Sequence, residues 1–433
     1  MKFSVRRLEF FERDVRLRMP FRFGVVTLTA APQAFVRAEI ALENGNVSEG
    51  AAAELLVPKW FDKNPALSNE DNFAQLRRSL FQAKDLYSRS KINTAYGHSR
   101  PTVGLVENFG PALIDRALLD ALCRALGISF YEAVRKNVPG LDIPDFLSTL
   151  QPRFEIAARH TVGLLDPITG TGKLGDGLPE TLEEVIERYG HRWFKLKVGG
   201  DVKADLDRLS AIAAVLDRLP EYQASLDGNE QYEDAEGVRE LWAAIKSRLK
   251  RLAASIAYIE QPIKRQHAFE KQIVLDKPVL IDESDDSLDA FPRAKALGYR
   301  GVSSKTCKGL YKALINAARC REWQAGYGEG YYFMTGEDLT IQAGIALQQD
   351  LALVSILGLA HVERNGHHYV NGMAGLPEAE QQRFLELHGD LYEQSHGAVR
   401  LCIEAGMIQM ASLDCPGYAS RALPDWSTMR EMK

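Results

Sequence analysis

From about residue 154 onward, short apolar runs alternate with amphipathic stretches, and this alternation limits the fold more than any other feature. Candidate strands fall at 154–164, 194–198, 222–226, 256–259, 279–281, 301–304, 328–334 and 354–361. Helical patterns separate them, among them 180–189, 204–219, 235–249, 288–297 and 311–323. Eight strands with helical connections predict a parallel (β/α) barrel; a doubly wound open sheet is the alternative. The residues ahead of this region read differently. Strands are expected over Phe3–Phe11 and Ala34–Leu42, the second followed by the turn signal Glu43-Asn44-Gly45-Asn46. Pro20 to Gly24 reads as a loop, and 70–90 and 111–137 as helices. Asp14, Arg16 and Arg18 alternate with apolar neighbours and read as the exposed side of a strand. A small α+β domain over 1–150, a barrel over 151–375 and a C-terminal segment over 376–433 that packs back on the first domain are therefore expected.

Barrels build their sites at the carboxyl ends of their strands. Five consecutive candidate strands end in ionisable residues: Lys195-Leu196-Lys197, Asp227-Gly228-Asn229, Glu260-Gln261-Pro262, Asp282-Glu283-Ser284 and Lys305. Each charge closes an apolar run that should be buried, a pattern that surface decoration does not produce. Three carboxylates on neighbouring strands would repel one another in a low-dielectric pocket unless a cation stood between them. Oxygen donors without His or Cys favour magnesium, or manganese, over zinc. Asp227, Glu260 and Asp282 are the candidate ligands, with Glu283 competing for the third place because alternation turns only one of the two inward. Lys195 and Lys197, two residues apart, share a face. Two adjacent ammonium groups disfavour each other's charge, which would lower a lysine pKa from its usual ~10.4 toward the range of a working base. In an eight-stranded ring the second and sixth strands are opposite, so Lys197 and Lys305 would flank the α-carbon of a bound carboxylate.

This ordered set resembles the enolase superfamily, in the muconate lactonizing enzyme-like subgroup of the mandelate racemase/muconate lactonizing enzyme family. Lysine-plus-magnesium acid–base chemistry is already well described for that superfamily. The resemblance implies an α+β capping domain followed by a (β/α)7β modified TIM barrel. It implies Lys197 and Lys305 as the acid/base pair, Lys195 as an auxiliary lysine on the substrate carboxylate, and Asp227, Glu260 and Asp282 as magnesium ligands. It also places Phe21, Arg22 and Phe23 of an early capping loop near the substrate, and implies symmetric homo-oligomers. Asn229 and Glu283 complete the candidate substrate contacts. The activity implied is magnesium-dependent removal of the α-proton of a carboxylate, by a racemase, epimerase or cycloisomerase. An acid-sugar dehydratase or other syn-eliminating lyase, and a binding protein on the same scaffold, are the alternatives. The sequence departs from relatives in Thr306-Cys307-Lys308-Gly309 after Lys305, and no His occurs in Thr335-Gly336-Glu337-Asp338, where the mandelate racemase branch has one.

Other signals carry less. With 53 Lys and Arg against 58 Asp and Glu, the net charge of −5 excludes a dominant attraction to nucleic acid. Five irregularly spaced cysteines fit reduced thiols, and the absence of a signal-like segment or long apolar run fits a cytoplasmic protein without a membrane span. Gly170, Gly172 and Gly175 match a dinucleotide fingerprint, but Asp176-Gly177-Leu178-Pro179 intervenes before any helix, so a loop over the barrel mouth is expected instead. Asp285 and Asp286 read as a solvated acidic loop. The nine histidines are scattered; His367 and His368 adjoin without ligand-like spacing, and His160 reads as core packing, with an orientation into the barrel as the alternative.

Overall fold

The computed structural model describes all residues, 1–433. The N-terminal third is a sheet with helices on one face. Strands β1 (Phe3–Phe23), β2 (Val26–Leu42) and β3 (Val47–Leu55) run antiparallel. Residues 20–24, expected as a loop, instead end β1 and turn the hairpin, with Phe21 opposite Leu28 and Phe23 opposite Val26. A register shift between Arg16 and Phe21 absorbs the Pro20 that hides this continuity in the sequence. Helix Leu105–Leu126 packs on β3 so closely that a Cβ at Gly50 would lie 2.2 Å from the Ala121 nitrogen.

The barrel consists of β4 (Glu155–Val162), β5 (Trp193–Lys197), β6 (Gln223–Asp227), β7 (Ile256–Glu260), β8 (Val279–Ile281), β9 (Gly301–Ser304), β10 (Phe333–Gly336) and β11 (His361–Arg364). These strands pair in parallel in chain order, and β11 returns to β4 to close the ring. The first six lie where the sequence predicts them. The seventh starts later than predicted, and Val354–His361 is not a strand: residues 345–356 form a helix and the eighth strand begins at His361. All residues of that helix are buried, so it has no polar face and no 3.6-residue period to distinguish it from a buried strand.

The C-terminal segment adds β12 (Tyr392–Ser395) and β13 (Ala398–Leu401), a hairpin. It continues into β14 (Met407–Gln409), antiparallel to β4, and β15 (Arg430–Glu431), which pairs with β1. One continuous apolar cluster joins the N-terminal sheet, its helices, the C-terminal segment and the adjoining barrel helices; a second lies under the helices around β5 to β9. The cap is thus fused to the barrel through shared core, which fixes how the β1–β2 hairpin overhangs the strand ends. No helix is long and apolar enough to cross a membrane.

Candidate active site

Register aligns the site. Lys197 pairs with Asp227 and Asp227 with Glu260 across β5, β6 and β7, all at strand ends. Asp282 follows β8, Lys305 follows β9, and both are buried. The polar residues after the acids act as braces. The Gln261 amide nitrogen donates to the Ile263 carbonyl (2.9 Å) and to Ser284 Oγ (2.8 Å). Its oxygen accepts from the backbone nitrogens of Asp282 (2.9 Å) and Ser284 (3.0 Å). The Glu-Gln-Pro motif therefore sets the end of β8 and aims Asp282, with Gln261 itself held at φ 30°, a conformation that L-residues avoid. Asn229, at φ 40°, donates its backbone N–H to Asp227 Oδ1 (2.9 Å).

The lysines are distributed differently from expectation. Lys195 lies in the barrel interior with Nζ 2.9 Å from Asp227, 2.8 Å from Glu260, 2.7 Å from Glu337 and 2.9 Å from Glu363. Burial opposes its charge, but these four carboxylates outweigh burial and raise its pKa well above the ordinary lysine value. The expected lowering by a neighbouring ammonium is thus reversed at Lys195, because carboxylates surround it on every side. Glu337 and Glu363 escaped the sequence reading through the misplaced last two strands. Arg159 escaped it too; it anchors Glu337 at 2.5 Å, and Thr161 donates to Glu363 at 2.6 Å.

Lys197 contacts Asp227 at 2.5 Å, and Lys305 contacts Asp282 at 2.6 Å while lying 4.4 Å from the Trp60 ring centroid. Burial opposes the Lys305 charge most strongly, yet Asp282, with Glu260 and Glu363 behind it, raises its pKa overall. Both lysines line one small cavity between cap and barrel, with Asn229, Asp338, Thr340 and Asn365 as polar walls and Phe21, Phe23, Val57, Trp60 and Leu339 as apolar ones. The Asp338 carboxyl is pushed up to about 6 by burial, against the pull of Arg364. Asp227, Glu260 and Asp282 lie behind the lysines and do not line this cavity.

Of the early cap residues, Phe21 and Phe23 close the cavity, and Phe21 stacks on Tyr369 with centroids 4.2 Å apart. Arg22 alternates to the other side and is exposed; its carbonyl accepts from Leu164 N–H at 3.2 Å. Glu283 is fully buried but turned from the cavity, toward Asn229 Nδ2 (3.2 Å) and Lys63 (3.2 Å). Lys63 also meets Glu230, and Arg265 ties Glu230 to the Trp60 and Phe61 carbonyls, so this charged group fastens the cap loop that carries Trp60. Two expectations of exposure fail. Asp285 is buried between Lys308 (3.0 Å) and Lys312 (3.2 Å). The Arg18 side chain is only 7% exposed and pins the Gly170–Pro179 loop through Asp176 (2.6 Å) and the Leu178 and Pro179 carbonyls.

Whether the carboxylate set suits a hard cation can be read from its oxygens. Glu260 Oε2, Glu283 Oε2 and Asn229 Oδ1 are buried without a hydrogen-bond partner, in a donor set made of oxygen alone. That chemistry fits magnesium. The carboxylates are nonetheless spread by the lysines between them: the only three His, Cys, Asp or Glu side chains with ligand atoms all within 4.8 Å of one another are His160, His191 and His367.

Residues 177–410 match the family model described as "Enolase C-terminal domain-like". No curated protein matches the sequence. Among solved structures, the N-succinyl Arg/Lys racemase of Bacillus cereus superposes with a TM-score of 0.65 at 16% identity, over 98% of this chain and 96% of that one. The muconate lactonizing enzyme of Mycobacterium smegmatis gives 0.63 at 19% identity, over the whole of both chains. The dipeptide epimerase of Cytophaga hutchinsonii, complexed with Mg and a dipeptide, gives 0.62 at 15% identity, over 100% of this chain and 99% of that one. At such identities the likeness speaks for the fold, a closed eight-stranded parallel barrel under an antiparallel cap. With the matched family model spanning more than half of its length, the chain belongs to the mandelate racemase/muconate lactonizing enzyme family of the enolase superfamily.

Proposed function

We propose that this protein is an isomerase that removes the α-proton of a small carboxylate substrate and returns a proton to the same framework, racemising or epimerising it; cycloisomerisation is the other outcome the site allows. One observation carries the reading: Lys197 at the end of β5 and Lys305 just after β9 stand on opposite sides of the ring and line the same cavity. A substrate there would have an amine on each face of its α-carbon. The similarity to a racemase, a dipeptide epimerase and a lactonizing enzyme supports the same class.

Asp227, Glu260 and Asp282 are the residues that would hold magnesium, with Glu283 and Asn229 beside them. The ion would supply positive charge next to the substrate carboxylate. Lys305, kept charged by Asp282, is the proton donor of the arrangement seen here; Lys197 faces it as the partner group. Phe21, Phe23 and Trp60 keep water from the reacting carbon, and Asn229, Asn365 and Thr340 offer hydrogen bonds to orient a polar substrate. Lys195, committed to four carboxylates, positions Asp227 and Glu260 and does not line the cavity.

The test is α-proton exchange in deuterated buffer, followed by NMR, with and without magnesium. The panel comprises N-acylated amino acids, dipeptides and diacids able to form lactones. Magnesium-dependent loss of an α-proton signal from one class is expected. Exchange with none of them would overturn the reading.

A further inference from the structure

Outside the candidate active site, three buried imidazoles meet where the barrel closes. His160 lies on β4 between Arg159 and Thr161, whose side chains point into the barrel, so alternation sends His160 outward. It is paired in register with Arg364 of β11 and Phe194 of β5, the two neighbours of the seam strand. His191 precedes β5, and His367 follows β11. Ring centroids are 5.3 Å apart for His160 and His191, 5.9 Å for His160 and His367, and 5.7 Å for His191 and His367. One ligand atom from each lies within 4.8 Å of the other two.

The rings are short of hydrogen bonds. His160 Nδ1, His191 Nε2 and both nitrogens of His367 are buried without partners. Their solvent exposures are 2%, 0% and 8%. An ordinary core histidine would have its nitrogens satisfied, because a buried unpaired polar atom is costly. The tautomer of His191 is fixed: its Nδ1 lies 3.0 Å from the Ala158 carbonyl, which can only accept, so Nδ1 carries the proton and Nε2 presents a bare lone pair. A backbone carbonyl on the far nitrogen is the usual support of a metal-binding histidine. Burial keeps the rings neutral, the form that ligates: it lowers His191 to about 4 and His160 and His367 well below the ordinary value. No carboxylate belongs to the group. A small cavity, lined among others by Gln342, Arg364, Gly366 and Leu401, reaches His367.

We propose that His160, His191 and His367 form a second metal site, selective for a borderline divalent ion of the zinc or cobalt type, distinct in chemistry from the all-oxygen set inside the barrel. Three neutral imidazoles suit such an ion, with one position left for water on the cavity side; magnesium would have no reason to prefer them. The site ties β4, the lead into β5 and the turn after β11, so the ion would act as a staple across the barrel seam.

The experiment is a titration of chelator-treated protein with Co2+ in the presence of excess Mg2+, read by visible d–d absorption and by thermal unfolding. One equivalent of Co2+ with a low-coordinate spectrum and a raised Tm is expected. The band should persist in an Asp227→Asn/Asp282→Asn double variant. It should weaken at least ~10-fold in apparent affinity in His191→Gln, the scale on which metal-site groups act. His367→Gln, at the cavity edge, serves as the second variant should His191→Gln fail to fold. Absence of the band in wild type, an unchanged band in the folded histidine variant, or loss of the band with the carboxylates instead would each overturn the proposal.

Discussion

Replacing Lys195 with methionine should destabilise the protein strongly, and in a pH-dependent way. One ammonium touches Asp227, Glu260, Glu337 and Glu363 at 2.7–2.9 Å, all buried. At an effective dielectric of 20, each contact is worth ~6 kcal/mol of gross attraction, most of it cancelled by the cost of burying the charges. Removing one member of a buried ionic group leaves the others uncompensated, at about 3–5 kcal/mol. Unfolding entropy near 2.1 cal/mol/K per residue gives ~0.9 kcal/mol/K for a chain of this length, so the loss becomes a Tm drop of ~3–6 °C. Methionine fills the space of the lysine stem, which keeps cavity effects small. The sign with pH follows from Glu260 and Glu363, whose only ion pair is with Lys195, whereas Asp227 keeps Lys197 and Glu337 keeps Arg159. With Lys195 gone the pKa values of Glu260 and Glu363 rise above the unfolded ones, so the variant is least impaired in acid and loses stability as pH increases. Scanning calorimetry of both proteins from pH 5 to 8 measures this. A Tm within a degree of wild type, with the same pH profile, would refute the placement of Lys195 as the cation of the barrel interior.

Magnesium binding should release protons. Glu260 is pushed well above the ordinary carboxylate range by burial, then by Asp227 and Glu337, so part of it holds a proton that a cation must displace. Affinity should therefore rise with pH, and calorimetry in buffers of different ionisation enthalpy should detect the released proton; pH-independent binding would contradict this. In the cap, Asp115 is pushed up to about 7 by burial, despite hydrogen bonds from Tyr87 and Ser99. Its folded pKa exceeds its unfolded one, so its contribution is complete below pH ~4 and is lost as pH rises toward 7, by about 4 kcal/mol. Asp115→Asn should flatten that decline relative to wild type in urea titrations from pH 4 to 8; parallel profiles would show that Asp115 is not the cause.

Much of the barrel was legible because β5 to β9 are short apolar runs, each closed by a charge, the pattern of strands that bury both faces and end at a polar site. The last two strands broke it. Residues 351–359, LALVSILGL, are apolar enough for a strand but belong mostly to a helix buried on every side. The true eighth strand, His361-Val362-Glu363-Arg364, reads as polar because its inward residue faces a charged interior. Glu363 and Glu337 were missed for this reason, although both repeat the strand-end acid seen earlier. The partners of Lys195, the burial of Asp285 and the clamp of Lys63 and Arg265 on Glu230 are contacts between segments far apart in sequence, which periodicity and spacing do not reveal. The histidine group is similar: residues 160, 191 and 367 adjoin only because β11 closes on β4.

The most direct test of the central claim compares Lys197→Ala and Lys305→Ala on whichever substrate exchanges its α-proton, taking the two enantiomers or epimers separately. With one amine serving each face of the carbon, neither variant should interconvert the pair, and each should still exchange the proton of a different stereoisomer. Interconversion at wild-type rate in both variants would contradict the account.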